Sequence, residues 1–391
     1  MHSTDLPPQL PATAAELEPA PKVTIWRRIA RGVVSSLDWL FGLLSLVLGL
    51  AVLSIIPVAN FLSLGYLIHA SGRVAATGRL RNGFVGIRKA SVVGSFFLGT
   101  WLVLLPVRLI SGMWKDAELI APGGATAGRW HVAVLVLTVL AVLHVVWACL
   151  RGGRVWHFAW PAPIRFFKWL STPDKFEMIR NAVVDFCAGL RLPYYFWLGA
   201  RGFFGAFAWL LIPVGFLILA AQMPPDKGGG FFSLVGGFLL MLVVLYLPFL
   251  QTHFALKNRF AALFAVGEVR RLFKRAPIAF WLSLFITLLF ALPLYLLKIE
   301  LPPREVAWLP SLLFVIFIFP ARLLTGWAVG RANRRERPCH WFFRWTSRLA
   351  LIPVVFFYVF FVYLTQYLSW NGSLSLLEQH AFMVPAPLMN L

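Results

Sequence analysis

Eight apolar runs, each about as long as a bilayer is thick, constrain this chain more than any motif in it. They occupy 39–58, 91–111, 130–150, 201–221, 231–250, 278–297, 307–327 and 349–368. About 20 residues at 1.5 Å rise cross a hydrocarbon core of about 30 Å. With no water inside the bilayer, every backbone N–H and C=O must be paired within its own segment, which leaves helices. The alternating ten-residue segments of a membrane β-barrel are absent from the sequence. Composition agrees: 60 % of residues are hydrophobic and 13 % charged, where a soluble domain has about 25 % charged. The predicted fold is an all-α integral membrane protein with about eight transmembrane helices.

The charges then orient the chain. Lys and Arg exceed Asp and Glu by 21, which in a soluble chain would suggest nucleic-acid binding. Here they cluster between the runs. The links 71–90, 151–200, 251–277 and 328–348 hold 24 Lys and Arg, whereas 112–129, 222–230, 298–306 and the C-terminal 369–391 hold 5. That asymmetry is the positive-inside bias, so the basic links face the cytoplasm of a cytoplasmic (inner) membrane, and no nucleic acid is expected. Cys149, Cys187 and Cys339 lie in or beside basic segments, form no CxxC pair, and read as free thiols.

The first run is ambiguous, because the uncharged stretch 39–68 contains Pro57 in "PVAN". Proline permits a fold-back there. That would put the basic "WRRIARG" on the same side as the other links, yet a returning arm of about 10 residues spans only about 15 Å. The expectation is therefore a single crossing over Ser54–Val74 that leaves the membrane near Tyr66, with the basic N-terminal end unexplained. Residues 1–37 read as a disordered tail with a basic juxtamembrane end, rich in proline and acids over its first 24 positions.

The order of spans and links occurs twice, in 38–221 and 231–368, around the linker 222–230; 369–391 is read as a C-terminal tail. "NFLSLGYLIHASGR" at 60–73 matches "PFLQTHFALKNR" at 248–259, pairing Arg73 with Arg259. Even parity makes the two four-helix halves parallel, an arrangement that recurs among transporters. "GYLIHASGRVAATG" and "NRFAALFAVGEVRRLFKRAPIAFW", with an aromatic pair after Pro277, resemble a prokaryotic multi-pass family known only as a domain of unknown function. The resemblance covers roughly 55–110 and 240–300; it implies a bacterial or archaeal membrane protein, and carries no activity and no site.

Two features point toward partners. The insert 151–200 contains a helix start at Thr172-Pro173-Asp174. Phe176, Ile179, Val183, Phe186 and Leu190 follow as one apolar stripe at 3,4,3,4 spacing. Upstream, "PIRFFKWL" suits a headgroup layer. The stripe is a candidate docking face for a cytoplasmic protein, or the face of an interfacial amphipathic helix. Arg73, Arg79, Arg81, Arg88, Lys89, Arg270, Arg271, Lys274 and Arg275 are candidate contacts to anionic membrane lipids. Inside the runs no Asp, Glu, Lys or Arg occupies a middle third; Arg108, Arg201 and Arg322 lie near run ends, from where they are expected to snorkel to the interface. His144 is expected to hydrogen-bond a neighbouring helix.

No HExxH, GxSxG, Walker A or GxGxxG motif occurs, so no catalytic, metal or cofactor residue is assigned. The function expected is a structural or adaptor membrane subunit docking a partner at 151–200. The alternative is a permease or lipid-handling protein with a path between the halves.

Overall fold

The computed structural model describes residues 25–171, 173, 175–223, 228–296, 308–369, 372–379 and 382–383. Residues 1–24, Thr172 and Asp174 lie outside these. Thirteen α-helices occur among the described residues, and eight of them are long and apolar enough to cross a membrane. The chain is an all-α multi-pass membrane protein.

The first helix, α1 (Ile25–Ile55), starts within the stretch expected to be a disordered tail and ends two residues before Pro57. There the chain reverses. Pro57 supplies no N–H, and Val58 adopts a left-handed φ of +69°, uncommon for a β-branched residue. The turn is closed by Asn60 N donating to Ile56 O at 3.0 Å and by the Ser54 and Ser63 hydroxyls at 2.9 Å. Helix α2 (Asn60–Thr77) then runs back along α1. Trp39 and Phe84 meet with ring centroids 5.6 Å apart, and Tyr66 Oη donates to Val85 O at 2.9 Å. A continuous crossing would separate Trp39 from the end of α2 by about 55 Å. The single crossing expected over Ser54–Val74 is therefore wrong. The returning arm is 18 residues long, about 27 Å, because helix continues through the polar His69-to-Thr77 stretch that the apolar run excluded. The reversal also puts the start of α1 on the same face as the basic links, which accounts for its arginines.

α2 is not among the eight apolar helices, yet it is the most enclosed element of the bundle's first part. It packs on α1, α8 (Leu192–Gln222), α9 (Gly229–Lys257) and α12 (Trp308–Asn333). A helix surrounded by protein does not need an apolar surface for lipid. It needs close approach, and small residues provide it. A Cβ on Gly65 would collide with Tyr195 O of α8, one on Gly199 with Phe61 O, and one on Gly326 of α12 with Ser71 O.

Helices α3 (Ile87–Ile120) and α4 (Ala125–Leu150) form a second hairpin against α1. The insert follows as α5 (Val155–Ala159), α6 (Pro163–Leu170) and α7 (Lys175–Leu190). α8 and α9 pair as a third hairpin. The amphipathic α10 (Val266–Arg275) leads into α11 (Pro277–Leu296), then α12 and α13 (Trp341–Leu368).

The internal repeat is visible in the backbone, but in a different register from the residue match. α2 ends at Gly78 in the left-handed region, Arg79 is extended, and a 3-10 helix spans Leu80–Gly83. α9 ends at Asn258 in the left-handed region, Arg259 is extended, and a 3-10 helix spans Phe260–Phe264. The capping bonds coincide as well: Gly78 N to Val74 O at 2.6 Å, and Asn258 N to Phe254 O at 2.7 Å. Arg79, not Arg73, matches Arg259, so the α1–α2 hairpin corresponds to α8–α9, between whose helices the expected linker 222–230 lies in sequence.

The basic links meet on one face. Arg334, just beyond α12, donates to Thr77 O and Gly78 O at 3.4 Å; Cys339 N donates to Lys274 O at 2.8 Å and Arg335 to Arg275 O at 3.3 Å. The last carbonyls of α2 and α10, which lack partners within their helices, are thus satisfied by one link.

Two predictions follow from this packing. In a background with its cysteines replaced by serine, Trp39→Cys with Phe84→Cys will give an intramolecular product with a short thiol crosslinker, read by gel mobility; a continuous first crossing gives none. Gly199→Val will lower the stability of the purified protein by about 1–3 kcal/mol, whereas Gly215→Val, on the same helix with nothing within 4 Å of its Cβ position, will leave the thermal midpoint nearly unchanged.

Candidate functional site

A lateral crevice of about 740 Å³ opens between α9, α10, α11 and α13. One face of α9 forms its long wall, through Phe238, Met241, Leu245 and Phe249, and α13 faces it with Leu351, Ile352 and Val355. The spacing of three and four that keeps these residues on one side of each helix makes the wall apolar throughout. Its floor is aromatic, where Phe249 stacks on Phe280 with centroids 4.3 Å apart. The end nearest the basic links is cationic: Arg270 and Lys274 of α10 and Arg348 of α13 all line it.

The fold positions these cations in different ways. α10 buries Val269 and Leu272, and the Glu268–Arg271 ion pair flanks them on the exposed side. Arg270 is oriented by Tyr246, to whose hydroxyl its Nε donates at 3.0 Å. Arg348 lies over the Phe273 ring at 5.7 Å, a cation–π arrangement that holds a guanidinium at an apolar rim. Phe238 and Ile352, also in its lining, are exposed.

Of the nine basic residues expected to contact lipid, only Arg270 and Lys274 reach the crevice. Arg271 is engaged with Glu268, and Arg275 lies at the end of α10, where its carbonyl accepts from Arg335. Arg73, Arg79, Arg81 and Arg88 are exposed on α2, its following turn and the start of α3, and Lys89 is half-buried beside Gly189 of α7. Arg348 was missed, because nothing in "RWTSRLALIP" signals that α13 lies opposite α10.

The apolar stripe of the insert lies on α7, and among the described residues its N-terminal half is largely uncovered. Phe176 is 78 % and Val183 55 % exposed, and Ile179, Phe186 and Leu190 are half-buried. α6 is anchored through Phe166 and Trp169 on Trp147 of α4, whose Nε1 donates to Pro161 O at 2.7 Å. His144 bonds Phe158 O at 2.7 Å, the neighbour contact expected of it.

The clearest departure from the sequence reading is Arg322. Rather than snorkelling, it is 1 % exposed, about midway along α12. Its Nη1 donates to Gln251 Oε1 of α9 at 2.6 Å, and its Nη2 to Phe382 O at 3.4 Å. Gln251 Nε2 donates to the same carbonyl at 2.8 Å, and the Thr252 and Thr325 hydroxyls pair at 3.3 Å next to it. The helix bundle therefore has a polar centre joining α9, α12 and the C-terminal segment. The snorkelling expected of Arg322 fails because distance from a run's end says nothing about which neighbours enclose a side chain.

Compared with known proteins, the chain matches no family model, no curated protein and no solved structure.

The polar centre carries its own prediction. Arg322→Leu alone leaves Gln251 Oε1 without its donor, while the Phe382 carbonyl keeps the one from Gln251 Nε2, at a cost of about 1–3 kcal/mol. Because Arg322 and Gln251 bond each other and share the Phe382 carbonyl, the loss in Arg322→Leu with Gln251→Leu will differ from the sum of the two single losses, and a double-mutant cycle on thermal unfolding will show coupling; strictly additive losses would mean that the two side chains do not act together.

Proposed function

We propose that this protein handles membrane lipid, taking one anionic amphiphile at a time into the crevice between α9, α10, α11 and α13. The observation that carries this reading is the division of the crevice into an apolar length and a cationic end. An acyl chain lies along Phe238, Met241 and Ile352, and a phosphate sits among Arg270, Lys274 and Arg348. The volume falls within the range of ligand sites generally, about 300–1,000 Å³. The cationic end is on the face of the basic links, so the lipid is drawn from the cytoplasmic leaflet, whose anionic headgroups attract each nearby Lys or Arg by about 1 kcal/mol.

A second reading, that of an adaptor subunit, rests on a separate observation: among the described residues, Phe176 and Val183 of α7 stand exposed. The adaptor reading would be supported if Phe176→Asp with Ile179→Asp released a co-purifying protein without altering lipid retention.

The lipid reading is tested in nanodiscs of phosphatidylcholine doped with phosphatidylglycerol, by native mass spectrometry of retained lipid. Replacing Arg270, Lys274 and Arg348 together with glutamine removes about 3 kcal/mol of attraction, so retention of phosphatidylglycerol will fall on the order of 100-fold. Equal retention by the triple variant and the unaltered protein would sink the proposal.

A further inference from the structure

The C-terminal segment does not trail away as a tail. α13 starts at Trp341, beside the basic links, and ends at Leu368, about 42 Å away on the opposite face. A 3-10 helix, Gly372–Leu377, then packs on α13 and α8. Beyond it the chain turns inward, with Leu376, Gln379 and Phe382 almost completely buried. It reaches Arg322, about 16 Å from the basic end of α12. The described residues of this strap, 372–379 and 382–383, therefore run from the face opposite the basic links to the depth of Arg322, where Gln251 Nε2 and Arg322 Nη2 converge on one oxygen, the Phe382 carbonyl.

We infer that Arg322 and Gln251 form a binding site for the carboxylate of a small solute, which the protein's own strap occupies in this structure. The inference goes beyond the lipid crevice and does not depend on it. Two donors from different helices directed at one sp² oxygen are the geometry by which a carbonyl or carboxylate is read, and a guanidinium adds the charge that a carboxylate complements. Side chains that only fill space in this helix are apolar, as Phe319 and Leu323 on either side show; an arginine in the membrane interior marks a solute path by default. The strap resembles the solute it stands for. Besides the carbonyl it brings in Glu378, the one buried carboxylate residue among the described residues.

The strap is also an imperfect fit. Ser375 Oγ and Gln379 Oε1 are buried without a hydrogen-bond partner. Water would satisfy both atoms if the strap withdrew, so its docking is opposed from within and a solute with a better-matched acceptor displaces it. Withdrawal opens a path to Arg322 from the face opposite the basic links.

The test uses the full chain in nanodiscs, with Cys149, Cys187 and Cys339 replaced by serine and Thr325→Cys as reporter, one turn from Arg322. A stop after Trp370 will raise the rate of labelling by a charged maleimide at least about tenfold. Benzoate will then slow that labelling, and will not do so when Arg322→Gln is added. Unchanged labelling after truncation would show that the strap closes nothing, and labelling indifferent to benzoate would refute the carboxylate site. Should the truncated chain aggregate, Phe382→Pro in the full-length chain is measured instead; it loosens the strap without removing it, and the same acceleration and benzoate protection are expected. Their absence there overturns the proposal equally.

Discussion

Everything else in this bundle is arranged around a helix that lipid would not accept. α2 carries Asn60, Ser63, His69, Ser71 and Arg73 in 18 residues, too polar a surface for hydrocarbon. Its solution is enclosure: α1 folds back along it, and α8, α9 and α12 pack on its other sides. Between helices in a membrane there is no hydrophobic drive to association, so close van der Waals approach and hydrogen bonds must hold them. Gly65 against Tyr195 and Gly199, and Ser71 against Gly326, provide the first. Ser54 with Ser63, and His69 with Tyr194 at 3.2 Å, provide the second.

That enclosure fixes the two chemically distinct regions. By reversing at Pro57, the chain delivers its N-terminal arginines to the face where the links after α2, α9 and α12 already meet, concentrating positive charge at one end of the molecule. The crevice beside α10 opens at that end, so its cationic rim belongs to a larger field of positive charge. The interior centre at Arg322 is shielded from that field by the bundle and is approached from the other side. The proposed lipid crevice and the proposed carboxylate site therefore lie on opposite approaches to the bundle.

Much of this was legible from residues alone. The eight apolar helices had to be helices because an unpaired backbone cannot sit in hydrocarbon, and the placement of Lys and Arg paired the links onto one face. The α7 stripe followed from its 3,4,3,4 spacing. The apparent exception, a basic N-terminus on the wrong side, was a sign that a crossing had been missed. Taking it as evidence would have found the hairpin, since the charge bias was more reliable than the length of an apolar run interrupted by His69 and Arg73.

What the sequence determined by itself is the class of molecule, its eight apolar helices and the polarity of its ends, because these depend on the solvent each segment must meet. Only the tertiary structure decided which polar side chains are enclosed. α2 fails a hydropathy test yet lies inside, Arg322 near a run's end is sealed at mid-helix, Arg348 stands across from Arg270 and Lys274, and a C-terminal stretch expected to be a tail returns to the core. Burial is a property of neighbours, and neighbours distant along the chain are chosen by packing, which leaves no local periodicity to read.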